Sequence, residues 1–457
     1  MEKKKQIDIS RRKFLKVLGG GVAASTAMLY GCNPNRQNTV TAAGEVPTDQ
    51  MTYRISPRTG EKVSILGYGC MRWPTLSSPA SDGNVIDQDA VNELVDYAIA
   101  HGVNYFDTSP VYVQGWSEKS TGIALSRHPR EKYFIATKMS NMSNPDFNFG
   151  VEMYRNSLKN LQVDYFDYYL LHNIGRPGLF KQRFLDNGLL DFLLKEREAG
   201  HIRHLGWSFH GVQEEFDKIL SMHDTVHWDF IQIQLNYSDW RHASGMNVNA
   251  EYLYHEIAQR DIPMVIMEPL QGGRLSDVPE HIFTRLKERN PQGSIASWAF
   301  RFAGSHEKVL CVLSGMTYME HLQDNIRTYS PLVPLTEEEK QFLYDTADLK
   351  AQYPTVPCND CQYCMPCPYG LDIPGILLHY NRCVNEGNIP RSQQDENYRK
   401  ARRAYLIGYD RSVPKLRQAS HCTGCEQCNP LCPQNIDIPK ELHRIDDFVE
   451  QLKQNTL

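Results

Sequence analysis

Little in this chain would direct it to nucleic acid or hold it across a membrane. Its 49 basic and 54 acidic residues nearly cancel, for a formal net charge of −5. No basic patch interleaved with aromatics stands out, which argues against a nucleic-acid partner. An apolar stretch at 17–30 has 14 residues, short of the roughly 20 that a membrane-spanning helix needs. Low-complexity tracts and short-period repeats are absent. No strand–GxGxxG–helix start is found either, so the usual opening of a doubly wound dinucleotide fold is missing. At 457 residues there is length for two or three domains and a large core.

Cysteine is sparse except in one region. Nine of the 12 cysteines lie between Cys358 and Cys432, and eight of these form two runs. The second, Cys422-x2-Cys425-x2-Cys428-x3-Cys432-Pro433, has the spacing of a bacterial [4Fe–4S] site. The first, Cys358-x2-Cys361-x2-Cys364-x2-Cys367-Pro368, is one residue shorter before its last cysteine. Three cysteines in step can surround one iron–sulfur cube from a single loop, while the cysteine before proline reaches elsewhere, often to a second cube. The expected sets are Cys358, Cys361, Cys364 and Cys432 on one cluster, and Cys422, Cys425, Cys428 and Cys367 on the other. Zinc is the alternative, since C-x2-C pairs also build tetrahedral sites, but zinc needs neither the third cysteine in step nor the proline. Disulfides fit such close neighbours poorly. Cys383, between the runs, and Cys70 and Cys311, in strand-like runs, read as packed thiols. Two clusters imply a protein that moves electrons.

The N-terminus reads as a targeting segment. Lys3, Lys4 and Lys5 are followed by Ser10-Arg11-Arg12-Lys13-Phe14-Leu15-Lys16 and the apolar stretch. This resembles a twin-arginine signal, a route that exports proteins already folded and so suits a chain whose clusters are inserted beforehand. Leu29-Tyr30-Gly31-Cys32 resembles a lipoprotein processing site, after which Cys32 would carry lipid and reach a membrane. Cleavage after Ala42 or Ala43 is the alternative. The expected location is periplasmic or otherwise extracytoplasmic, with residues 1–32 as signal and 33–52 as tether.

From 53 to 330 the chain alternates strand-like runs (64–70, 104–108, 134–139, 165–171, 204–208, 230–235, 264–267 and 310–314) with amphipathic helical stretches, which predicts a (β/α)8 barrel. A hairpin before it, Tyr53-Arg54-Ile55-Ser56 with Lys62-Val63-Ser64, is expected to plug the barrel floor. In such barrels the chemistry lies at the carboxyl ends of the strands. Those ends offer Asp107, Lys138 and His172, with Tyr112 in the loop after the second strand. One ionisable residue there is unremarkable; four at neighbouring strand ends predict a site. Residues 331–350 read as a linker whose Thr336 caps a helix with Glu339 three residues on. Residues 351–457 read as a small α-helical ferredoxin-type domain. A basic group in it (Arg391, Arg399, Lys400, Arg402 and Arg403) is interrupted by Asp395 and Glu396 and reads as a solvated helix face.

The runs Phe106-Asp107-Thr108-Ser109-Pro110-Val111-Tyr112, Thr137-Lys138 and Tyr169-Leu170-Leu171-His172 resemble the aldo/keto reductase family in order and spacing. The tail, with Tyr363-Cys364-Met365-Pro366-Cys367-Pro368, further resembles a subgroup of these reductases carrying a helical two-cluster ferredoxin module. The resemblance implies Tyr112 as acid/base, Lys138 lowering its pKa, Asp107 orienting Lys138, and His172 placing the substrate carbonyl. It also implies NAD(P)(H) across the barrel mouth, with Ser208 and Gln234 on the carboxamide, Leu270 and Gly272 in the loop over the pyrophosphate, and Gly315 and Asn325 at the adenosine. In three places this chain departs from the family pattern: Phe209-His210 follows the serine, Met267 stands where an aromatic commonly stacks, and His321 replaces a basic residue near the adenosine.

A nicotinamide passes an electron pair and a cluster passes one electron, so a converter such as a flavin or a radical-forming substrate is called for. The leading expectation is an exported iron–sulfur oxidoreductase that interconverts a carbonyl and an alcohol, with clusters serving a redox partner protein or quinone. The alternatives are an electron-transfer protein whose barrel no longer uses a dinucleotide, and an exported scaffold with purely structural metal sites.

Overall fold

The computed structural model describes residues 45–457, Arg58 excepted. The twin-arginine-like segment, Cys32 and most of the expected tether lie outside the described residues. Among the described residues no helix is long and apolar enough to cross a membrane.

An antiparallel hairpin, β1 (Tyr53–Ile55) and β2 (Lys62–Ser64), precedes eight parallel strands. These are β3 (Leu66–Gly69), β4 (Tyr105–Asp107), β5 (Phe134–Met139), β6 (Phe166–Leu171), β7 (Ile202–Phe209), β8 (Phe230–Gln234), β9 (Met264–Met267) and β10 (Val309–Ser314). They pair in chain order and close β10 against β3, giving the (β/α)8 barrel that the alternation predicts. Helices α1 (Gln88–Ala100), α2 (Ser117–Leu125), α3 (Phe147–Leu161) and α4 (Leu189–Glu198) follow β3 to β6. Around the other half run α5 (Gln213–Ser221), α6 (His223–Val226), α7 (Ala250–Ala258), α8 (Glu280–Arg289), α9 (Ile295–Gly304) and α10 (Met319–Tyr329). Strand β3 begins later than its apolar run because Ser64 pairs in the hairpin, opposite Tyr53.

Parallel strands covered by helices are buried on both faces and read as continuous apolar runs; every residue of β6 and β10 is buried. Inside the barrel Tyr105, Ala136, Tyr168, Leu170, Phe230, Val265, Leu310, Cys311 and Leu313 form one cluster, and Val63 of the hairpin closes it from below. His204 reaches down to the hairpin too, with Nε2 2.7 Å from Glu61 Oε2. Gly67 leaves space for this filling, since a Cβ there would lie 2.5 Å from Cys311 Sγ.

Residues 331–350 contribute to the barrel's outer layer. Thr336 and Glu339 form a capping box on α11 (Glu337–Ala351), and Leu343 and Ala347 enter the barrel's core. The following module is helical, with α12 (Ile373–Asn385), α13 (Tyr398–Ser412) and α14 (Ile438–Gln454) packed around a second core. Each cysteine run ends in the same phrase. Cys367-Pro368-x2-Leu371-Asp372-Ile373-Pro374 is repeated as Cys432-Pro433-x2-Ile436-Asp437-Ile438-Pro439. In both, the aspartate accepts a backbone N–H three residues on and caps a helix with proline in its first turn.

Helices α2 and α3 meet so closely at Gly122 that a Cβ would stand 2.3 Å from the Asn160 carbonyl oxygen. Gly122→Ala should therefore lower stability by about 1–3 kcal/mol, read by urea unfolding. An unchanged midpoint would show that this backbone contact is not as tight as described.

Candidate active site

The four strand-end residues meet at the carboxyl end of the barrel. Lys138 Nζ donates to Asp107 Oδ1 at 2.5 Å and to the Thr108 carbonyl at 2.8 Å. It also lies 4.9 Å from the centroid of the Tyr112 ring. Tyr112 opens a short turn (Tyr112–Gly115) in which Val113 and Gln114 take left-handed φ of 48° and 57°. The Tyr112 and His172 rings stand edge to face, 6.1 Å apart. Ser140 Oγ lies 2.6 Å from His172 Nδ1 and 2.8 Å from Ser109 Oγ, fixing the imidazole from behind. Buried Arg183 ties the strand ends together, donating to the carbonyls of His172, Asn173 and Met139.

Burial governs the charges. It pushes the Asp107 carboxyl up and the Lys138 ammonium down, each opposed by the other's charge. Among the described residues Asp107 Oδ2 finds no hydrogen-bond partner, although it is buried. Burial, with Lys138 and Arg183 nearby, holds His172 well below the ordinary histidine range, so its ring is neutral at pH 7. Tyr112 departs from expectation. Its pKa is pushed well above the ordinary phenol value, first by burial and then by Tyr363 and Asp107. Lys138, neutralised by Asp107 and lying against the ring, does not offset this.

Tyr363 comes from the first cysteine run. Its hydroxyl lies 3.4 Å from His172 Nε2, and Tyr363 is among the groups that raise the Tyr112 pKa. Around it the module is bonded to the rim of the barrel. Arg72 donates to the Asn359 carbonyl at 2.6 Å and pairs with Asp360 at 3.2 Å. Asn359 Nδ2 donates to Glu268 Oε1 at 2.5 Å. Gln434 Nε2 donates to Gln234 Oε1 at 3.2 Å and to Glu268 Oε2 at 3.0 Å. Arg176 donates to the carbonyls of Asn429 and Cys432, both at 3.1 Å.

The residues matched to the dinucleotide lie on this rim with other partners. Ser208 Oγ accepts the Asn173 N–H at 2.9 Å. Gln234 bonds Asp239 as well as Gln434. Leu270 is partly buried against the barrel core. A Cβ on Gly272 would lie 2.2 Å from the Asn359 carbonyl oxygen, and one on Gly315 would lie 3.0 Å from the Arg72 side chain. Asn325 is buried and donates to Ser314 Oγ at 2.9 Å. His210, beside Gln234, is pushed down to about 4 by burial. The contributions of Arg72, Ser140, Arg176, Glu268, Asn359, Tyr363 and Gln434 were not read from the sequence. Nothing local marks a residue between two cysteines as a partner of a histidine 191 positions away.

The cysteines fall into two groups of near neighbours. Cys358, Cys361, Cys364 and Cys432 act on one another and line a shared cavity with Ile373, Leu377 and Ile436. Cys367, Cys422 and Cys425 are the neighbours of Cys428. Burial pushes the Cys358 thiol up to about 11. Among the described residues no three His, Cys, Asp or Glu converge as the ligands of a single ion would. A cube is held otherwise, each thiolate on its own iron around a void. Cys383 packs in the module core, 3.5 Å from His379 Nε2, and Cys70 and Cys311 are buried in the barrel.

The aldo/keto reductase family model matches residues 65–343, more than half of the chain, and the chain belongs to that family. Protein tas of Escherichia coli is 33% identical over 188 residues, which are 35% of this chain and 52% of that protein; the chain thus spans about half of its length. L-galactose dehydrogenase of Arabidopsis thaliana is 26% identical over 307 residues, 63% of this chain and 91% of that protein. Among solved structures, aldo-keto reductase AKR11C1 from Bacillus halodurans superposes with a TM-score of 0.52 at 23% identity, covering 65% of this chain and 96% of its own. That likeness concerns the fold.

Two predictions follow from these charges. Removing one member of a buried pair strands the other, at a cost of about 3–5 kcal/mol. Lys138→Met should destabilise the chain by that much in urea unfolding, and Lys138→Met with Asp107→Asn by less; equal losses would mean the pair is not coupled. Glu268, buried under the module, is pushed up to about 7, with Asn359, Arg72 and Arg274 opposing the rise, Asp239 adding to it and His210 facing it at 3.8 Å. A raised carboxyl binds more protons in the folded state, so its contribution to stability is most favourable in acid. That contribution falls as pH rises from about 4.5 to about 7 and then levels off. Glu268→Gln should remove this fall, seen as a smaller stability difference between about pH 5 and about pH 8 than the native chain gives. An unaltered difference would rule Glu268 out as its source.

Proposed function

We propose that the protein is an oxidoreductase that interconverts a small carbonyl compound and its alcohol at the barrel mouth, and that its two cysteine groups hold [4Fe–4S] clusters serving a redox partner protein or quinone. The observation that carries the first part is the meeting of the Asp107–Lys138 pair, the Tyr112 hydroxyl and the neutral His172 ring in a member of this family. A substrate oxygen placed where the Tyr363 hydroxyl now lies would be held between Tyr112 and His172 Nε2. Tyr112 then gives its proton to that oxygen in reduction and takes it back in oxidation. Moving Tyr363 away removes one influence that raises the Tyr112 pKa, and Lys138 beside the ring then favours the phenolate.

NAD(P)H is the reductant typical of the family, and when bound it supplies the hydride. With the module docked, Ser208, Gln234, Leu270 and Gly272 do not fit its nicotinamide end, because Gln434 and Asn359 lie against two of them. The first cysteine group supports a cluster. Cys358, Cys361, Cys364 and Cys432 surround an apolar-walled cavity, and the buried thiols need a cation to ionise. Such clusters supply one-electron transfer. Their placement supports exchange with a partner, since Cys358 and Cys432 are buried while Cys425 is exposed. The twin-arginine-like start and Cys32 support export with a lipid tether. The covered mouth favours a second reading, an electron-transfer protein whose barrel no longer uses a dinucleotide.

Tyr112→Phe separates the two. Under the first reading it lowers the carbonyl-reduction rate about 10²–10⁴-fold while the visible spectrum of the clusters is unchanged. A variant as active as the native chain would refute the role of Tyr112 and leave the second reading.

A further inference from the structure

We propose that the cysteine module is a docked cover whose Asn359–Tyr363 segment and Gln434 occupy the places that the nicotinamide ring and the substrate oxygen need, so that a dinucleotide and the docked module exclude each other. This rests on the reading above that the family's cofactor binds this barrel.

Three observations converge. The first is position. The Tyr363 hydroxyl lies 3.4 Å from His172 Nε2 and beside Tyr112, whose ring stands edge to face with that of His172; these are the two groups that would hold the reacting oxygen. Gln434 takes the Gln234 carboxamide oxygen, and the Asn359 carbonyl closes over Gly272, the glycine of the loop expected over the pyrophosphate. All three come from within two residues of a cysteine in the two runs, so the segments that shape the cluster sites also fill the mouth.

The second observation is specificity. The docked surfaces carry non-glycine residues held at left-handed φ on both sides: Asn173 (52°), Glu268 (54°) and Gln271 (50°) on the rim, Asp360 (55°), Gln362 (62°) and Asn435 (53°) on the module. Such conformations persist where the surroundings over-determine them. Bonds reach the module from loops after four different strands, through Arg72, Arg176, Asn247 and Glu268. This is one defined arrangement of the two surfaces.

The third is separability. The barrel and the module keep distinct apolar cores, and among the described residues Tyr353 is the only apolar side chain packed against both. The bonds across the surface between them include guanidinium, amide and carboxylate groups, for which water can substitute. Polar interfaces of this kind between units of one chain permit relative motion. The cover can therefore lift without either core coming apart.

The test is made on the full chain purified without oxygen, with cluster absorbance as the check on integrity. NADH and NADPH binding is followed by fluorescence titration of the native protein and of the double variant Arg176→Ala/Gln434→Ala, which loosens docking. Hydrogen exchange of the native protein is read with and without saturating nucleotide. The proposal expects the variant to bind at least about ten-fold tighter, and nucleotide to increase exchange at 359–363 and 432–435 in the native chain. Equal affinities, or protection of 269–275 with no change at 359–363, would overturn it and leave the proposed function standing. No binding by either protein and no exchange response would overturn both the cover and the dinucleotide reading. Should the variant lose its clusters, the exchange experiment on the native chain decides alone.

Discussion

The arrangement of the barrel mouth depends on one contact, Lys138 Nζ on Asp107 Oδ1 at 2.5 Å with both side chains out of solvent. Removing two charges from water costs several kcal/mol each, and their attraction repays this only if the remaining polar atoms are satisfied. Here the Thr108 carbonyl accepts a second hydrogen bond from the ammonium, while Asp107 Oδ2 has no partner among the described residues. The pair fixes the ends of β4 and β5 against each other and sets an ammonium under the Tyr112 ring. A feature this costly, at the one end of the barrel where four polar side chains converge, is better explained by chemistry than by stability.

The module completes that environment. With it, Tyr112 is driven up, His172 down and Glu268 to about 7, in each case first by burial. Tyr363, from outside the barrel, is one of the causes of the rise at Tyr112.

The barrel was legible because its signal is local. Eight β-branched or aromatic runs separated by amphipathic stretches give the strands to within a few residues, and Asp107, Lys138 and His172 stand at their ends. Boundaries slipped where pairing overrode the apolar pattern, as at Ser64, which joins the hairpin, and at β7, which runs from Ile202 to Phe209 rather than from 204 to 208. What could not be read was long-range. Tyr363 against His172 and Gln434 against Gln234 join positions 191 and 200 residues apart, and neither residue type announces such a contact. The rise at Tyr112 is long-range in the same way, since Tyr363 of the first cysteine run is among its causes.

Metal content tests most directly whether the cysteine module carries the two proposed one-electron centres. Iron, acid-labile sulfide and zinc would be measured on chain purified without oxygen, and an electron paramagnetic resonance spectrum recorded after reduction with dithionite. The account predicts iron and sulfide sufficient for two cubes, with a spectrum broadened by two neighbouring paramagnetic centres. Zinc in place of iron, or a chain that gives no paramagnetic signal on reduction, would contradict it.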